Sequence, residues 1–261
     1  MRSRGVLIPL LVIACAVNLG FGQTRKLATG STVNASTIIA NAWAAFSNSL
    51  PINSVQLSGE IATQAGATSD SGTVTAVSRV DTTSSTQLNL TSGTWTETRV
   101  AIANSGIYQC TWSGPDGAVH NAASHNCVVP ASWMCPSLML QPGLTPSNVG
   151  IAYIAHETLG DEGVEHVQMQ VIYGNAQTPT NVTALLEQVS TVDLYVDSSS
   201  FLPVMLRTTL RADNDANTSI PVEVHYSNFI QSSGVTVPSS IQRYIDSSLQ
   251  DSVTLTGVSA N

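Results

Sequence analysis

From residue 192 to residue 255 the side chains alternate as those of a sheet must. Val192, Leu194 and Val196 fall on one side of the backbone, and Asp193, Tyr195 and Asp197 on the other. A period of two describes a strand with one buried face. Ser198, Ser199 and Ser200 form a turn, after which Leu202, Val204, Leu206 and Leu210 alternate with Met205, Arg207, Thr209 and Arg211. The polar run 213–217 closes that strand. Val222, Val224 and Tyr226 make the next, opposite Glu223, His225 and Ser227. A turn at Gly234 leads to Ile241, Arg243 and Ile245, and Val253 to Leu255 ends the series. Four or five strands joined by short polar turns pair with their sequence neighbours as a meander. One face is oily, so another layer has to cover it.

Upstream, Asn34 or Ser36 can cap a helix running to about Phe46, because Ile38, Ile39, Ala42, Trp43 and Phe46 recur at three- and four-residue steps. This helix is the expected cover. Residues 54–64, 72–80, 86–90, 95–103 and 107–112 read as Thr- and Val-rich strands. Residues 65–71 read as a turn, and Gly114-Pro115-Asp116-Gly117 as a second one. A second helical patch is expected over 130–140, carrying Trp133 and Leu138, and a short helix or loop over 182–187. The fold class that follows is α+β: a curved, mostly antiparallel β-sheet, an open half-barrel, packed on one or two helices.

Several residues carry a resemblance. Phe201-Leu202-Pro203-Val204, then Val224-His225-Tyr226-Ser227-Asn228-Phe229, then Gly234-Val235-Thr236-Val237-Pro238 resemble the end of the LolA/LppX-like periplasmic lipoprotein-carrier families. Tyr153, Glu157, Gly160, Gly163, Val164 and His166 resemble a hairpin of the same families. The similarity spans residues 151–258. It implies one LolA-like α+β domain over residues 23–261 and a non-enzymatic carrier of a lipid or other hydrophobic ligand. These are strand and turn residues; none is catalytic, and a fold alone does not fix a function.

Compartment follows from the N-terminus. Arg2 and Arg4 precede a short apolar core, and residues 1–22 read as a secretory signal cleaved before Gln23. The apolar run is shorter than the roughly 20 residues a spanning helix needs. The rival reading is a lipobox ending at Cys15, which would anchor the protein through a lipid. Either way a periplasmic or secreted protein is expected, with peripheral or no membrane association, and as a monomer.

Only 10% of residues are charged, against about 25% in an average globular protein. With nine Lys and Arg in all and a net charge of −8, no basic patch is available for phosphates, and nucleic acid is not an expected partner. Beyond Cys15 an odd number of cysteines remains. Cys110–Cys127 is the expected bridge, Cys127–Cys135 the alternative, and the spare thiol behaves as a small hydrophobe.

Candidate chemistry is sparse, and no cofactor is expected. His120, His125, Cys127 and Asp116 lack the paired spacing of a zinc site, and a cysteine in a disulfide does not ligate. Residues 213–217 begin like a calcium loop, but Thr218 stands where glycine is required and Val224 where a bidentate glutamate belongs. No metal site is therefore assigned. His156, Glu157, Asp161, Glu162, Glu165 and His166 crowd one hairpin, yet neighbours on a strand point to opposite faces, so Glu165 and His166 cannot converge on one bond. Glutamates beside that turn are expected to be solvated. With no nucleophile elbow or phosphate loop, no catalytic residue is assigned and a hydrolase ranks last. The expected ligand-binding residues are Trp43, Phe46, Trp133 and Leu138. The alternative is an envelope scaffold or protein-interaction module with a closed core. Sequons at Asn34, Asn89, Asn181 and Asn217 carry little weight in so Ser/Thr-rich a chain.

Overall fold

A computed structural model of the chain describes residues 34–102, 108–127, 132–141, 149–172 and 180–261. The expected signal, Cys15, and residues 130 and 131 of the expected helical patch lie outside them.

Helix α1 (Ala35–Ser47) starts where the pattern predicts, with the Asn34 side chain accepting from the Ser36 amide at 3.0 Å. Two meanders follow. The first is β1 (Ser54–Ala65), β2 (Thr68–Arg79), β3 (Ser84–Leu90), β4 (Gly93–Ala101), β5 (Tyr108–Ser113) and β6 (Val119–Asn121). The second is β7 (Val149–Leu159), β8 (Glu162–Val171), β9 (Val192–Asp197), β10 (Pro203–Ala212), β11 (Asp215–Ser232), β12 (Val235–Ile245) and β13 (Ser248–Ala260). Short α2 (Ser124–Cys127) lies between the meanders, and α3 (Thr180–Ser190) between β8 and β9. The thirteen described strands form one antiparallel, curved sheet that is not closed into a barrel, in the order β6-β5-β4-β3-β2-β1-β13-β12-β11-β10-β9-β8-β7.

The two meanders join where β1 pairs with β13, Val55 opposite Ala260. At Gly59 on this seam the backbones come so close that a Cβ would stand 2.3 Å from the Thr254 carbonyl oxygen. Only glycine fits there.

The covered face carries the main core. Val55, Leu57 and Ile61 of β1, Leu194 and Val196 of β9, and Ile241 and Val253 of the closing strands meet Ile38, Ile39, Ala42 and Phe46 of α1. A 3₁₀ turn, Pro136–Leu140, packs beside α1 with Leu138, Met139 and Leu140 buried. The helical patch expected over 130–140 is, within the described part, a single 3₁₀ turn at its C-terminal end. So short a segment forms too few hydrogen bonds to offset the cost of nucleating an α-helix, and a single 3₁₀ turn held by packing is the usual outcome.

Other differences are local. The turn expected over 65–71 shrinks to Gly66 and Ala67, with Gly66 at φ +59°. The polar run 213–217 is mostly strand, since β11 begins at Asp215. Thr180–Ser190 is a full helix of 11 residues. His120 sits in the short edge strand β6 rather than in a loop. The pairing register shifts between Pro203 and Met205. Val204 therefore packs with Met205, Tyr195 and Val164 on the outer face, away from Leu206. A bulge reverses which residues face inward, and alternation counted through it goes out of phase.

Candidate functional site

α1 covers only part of the inner face. Its main contacts are with β12, β7 and the 3₁₀ turn. The arm from β2 to β5 keeps its inner face open, and a cavity of about 740 Å³ lies against it. A second space of about 370 Å³ adjoins it towards β10 and α2. The two share Thr86, Glu97, Trp112, Trp133 and Arg243.

Strand pairing sets these walls. Leu88 lies opposite Trp95, and Thr86 opposite Glu97. Glu97 lies opposite Trp112, and Trp112 opposite His120. The indoles of Trp95 and Trp112 lie 6.4 Å apart with 18° between their planes, and His120 stacks on Trp112 at 4.2 Å. The far wall is Trp133. Its carbonyl accepts the Tyr226 hydroxyl at 2.8 Å, and neighbouring Ser132 is bonded to Ser78 at 2.9 Å, so the segment is tied to β11 and to β2. Below it, the Arg243 guanidinium lies 4.5 Å from the Trp133 ring centre and donates to Asp251 at 2.6 Å. The Trp133 indole N–H is buried and has no partner among the described residues.

α2 straps the second space. The Cys110–Cys127 disulfide holds one end to β5. Next to the bridge the Asn126 side chain accepts from the Arg211 amide at 2.9 Å and donates to its carbonyl at 2.8 Å, as a neighbouring strand would. His125 contacts the Ala212 carbonyl at 3.1 Å. The strap thus links strands eight places apart in the sheet order, β5 and β10.

Of the four residues expected to bind ligand, Trp133 lines the cavity. Phe46 and Leu138 are buried in the core, and Trp43 packs against it. Sequence reading missed Trp95, Glu97, Trp112 and Arg243. The signal lay in the alternation Trp95-x-Glu97-x-Arg99, which puts three large side chains on one face; two of the three are charged, and nothing local marks that face as the inner one.

The other motifs are accounted for by their neighbours. Cys127 is in the disulfide, and Cys135 is free and buried, its thiol pushed up to about 12 by desolvation. Asp213 accepts from the Ala123 amide of the strap. Asp215 accepts from the Asn217 amide and the Thr218 hydroxyl. The acid and imidazole groups of the β7–β8 hairpin divide between the faces as expected. On one, Glu165 accepts from Tyr153 at 2.9 Å and from Ser198 at 3.1 Å, and pairs with His156 at 3.0 Å. Glu165 is thus half-buried rather than solvated: burial raises its pKa, but bonds from His156, Tyr153 and Ser198 take it below its usual value.

On the other face His166 lies between two carboxylates, Glu157 at 2.8 Å and Asp193 at 3.0 Å, with Tyr195 stacked on its ring at 4.3 Å and Arg207 beyond. Burial pulls the imidazole pKa down, but hydrogen bonds and charge from Asp193 and Glu157 outweigh it and hold it above the ordinary value. A raised pKa in the folded state stabilises the fold below the unfolded value, about 6.5, and that contribution is lost as pH rises through the folded value. Asp193 is held below its ordinary value against the effect of its burial, chiefly by the His166 and Gln168 bonds, so its share persists until pH falls below about 4. We expect the melting temperature to fall as pH rises from 6 to 8.5, each kcal/mol lost lowering it by about 2–4 °C in a chain of this size. His166→Gln should flatten that slope in a thermal melt series; an unaltered slope would assign the effect elsewhere.

No family model matches the chain, and no curated protein does. Solved structures do. A LolA superfamily protein from Nitrosomonas europaea aligns with a TM-score of 0.50 at 13% identity, over 88% of this chain and 94% of its own. An outer membrane lipoprotein-sorting protein domain from Vibrio parahaemolyticus gives 0.53 at 9%, over 87% and 94%. A DUF1329 family protein from Desulfovibrio piger gives 0.53 at 7%, over 87% and 92%. At these identities the likeness is one of architecture, and it reaches well beyond the C-terminal residues that first suggested it. The chain has the LolA-like fold, a long antiparallel sheet curved around a covering helix.

Proposed function

We propose that the protein is an exported, non-enzymatic carrier or binder of a lipid or other hydrophobic ligand in the cell envelope. The observation that carries this reading is the cavity of about 740 Å³ between the β2–β5 arm and Trp133. Ligand sites commonly enclose about 300–1,000 Å³. Each buried methylene contributes about 0.8 kcal/mol, so a single alkyl chain gains useful affinity without a charged contact. The LolA-like architecture and the disulfide support the reading, since bridges persist in oxidising compartments. Within it, residues 1–22 act as the export signal and residues 23–261 as one domain. Trp133 touches the ligand, while Trp43, Phe46 and Leu138 hold the cover in place.

Native mass spectrometry of the purified chain is expected to show a bound species that organic extraction removes and that proves to be an amphiphile. A single unliganded mass, together with tryptophan fluorescence indifferent to added fatty-acyl probes, would refute the carrier.

A further inference from the structure

We infer that the cavity selects an amphiphile with a cationic, alkylammonium head, seated against the cavity side of the Trp95 and Trp112 indoles with Glu97 as its counter-charge. The inference rests on the carrier reading and adds the chemistry of the head.

The charge of the walls points this way. Asp70, Glu97 and Asp213 line the two spaces against only Arg99 and Arg243. Neither guanidinium is spare: Arg243 is bonded to Asp251, and Arg99 donates to the Thr82 carbonyl at 3.0 Å and lies over the Tyr108 ring at 3.8 Å. The sequence has a single lysine, Lys26, outside the described residues. An anionic head would thus enter a site with more carboxylates than available cations.

Among the carboxylates Glu97 is distinct. Asp70 accepts from Ser92 and Thr91, and bonds from the Ser92 and Thr91 side chains chiefly hold its pKa well down. Asp213 is bonded into the strap. Glu97 has no hydrogen-bond or ion-pair partner among the described residues, and it lines both spaces. Its strand neighbour is Trp112, with Trp95 two residues away on the same face. Both indoles remain 38% exposed. Indole faces attract cations through the ring quadrupole, by about 0.5–1 kcal/mol each at exposed positions and more once a ligand's chain excludes water. Trp133 already holds one such cation, Arg243, on the opposite wall. Two indoles without a cation of their own and one unengaged carboxylate match an ammonium group better than a phosphate, a carboxylate or a bare alkyl end.

Three chain-matched probes below their micelle concentrations test this: dodecyltrimethylammonium, dodecyl maltoside and dodecanoate, titrated by calorimetry and indole fluorescence. The cation should bind about tenfold more tightly than dodecanoate. Glu97→Gln should lower the ratio of cation to maltoside affinity by about tenfold, and Trp112→Leu, which keeps apolar bulk without the ring, should lower it too. Using a ratio separates head recognition from any general loss of the cavity. Equal affinities for the three probes would overturn the cation site and leave the carrier standing. So would a ratio insensitive to Glu97→Gln, or tightest binding of maltoside, which would favour the Ser and Thr hydroxyls and a sugar head. Binding of none of them would overturn both.

Discussion

Phe46→Ala is expected to lower the free energy of unfolding by about 3–5 kcal/mol, the usual cost of removing a buried aromatic ring. The ring is fully buried, tilted against Trp43 at 5.5 Å, and sits where α1 meets the sheet. The space beside it, between Cys135, Pro136, Tyr226, Phe229 and Val237, is only about 10 Å³, so the ring packs against protein and not against a ligand space. Since whole domains are stable by about 5–15 kcal/mol, this one change removes a large part of the margin. Urea titration followed by circular dichroism measures it. A loss under about 1 kcal/mol, accompanied by weaker binding of alkyl probes, would instead make Phe46 a wall of the ligand space.

Removal of the bridge in a Cys110→Ala/Cys127→Ala double variant should cost about 3 kcal/mol, because a closed loop of this size restricts the unfolded chain by about that much. The two cysteines are 17 residues apart. The Asn126, His125 and Asp213 bonds would still tie the strap to β10 and its end. Two readouts should move together: the melting temperature falls, and residues 114–126 become cleavable in limited proteolysis while the sheet survives. If reductant changes neither, the strap does not depend on the bridge. A faster release of bound probe would further tie the strap to ligand entry.

Much of the architecture was legible in local pattern. Alternation located the five C-terminal strands, and three- and four-residue spacing located α1, because backbone geometry fixes which neighbours share a face. The separation of Glu165 from His166 followed from the same rule, and it correctly kept the acid–imidazole cluster from being read as one site. The candidate cavity was less legible. Trp133 stood out as an aromatic in an apolar run, but Trp95, Glu97 and Trp112 sit in Thr-rich strands where nothing local shows which face turns inward.

By itself, then, the sequence determined most of the strands, the capped helix and a charge-poor character, and it narrowed the disulfide to two pairings, all of which rest on spacing, composition or residue chemistry. Tertiary structure alone decided three things. It joined β1 to β13, so the two meanders became one sheet. It shifted the phase at Val204 through a bulge. It left the inner face of β2–β5 uncovered because α1 is 13 residues long and lies against β12 and β7. Each depends on contacts between segments far apart in the chain. Periodicity reports which side chains share a face, but what stands opposite that face is set by the path of the whole backbone.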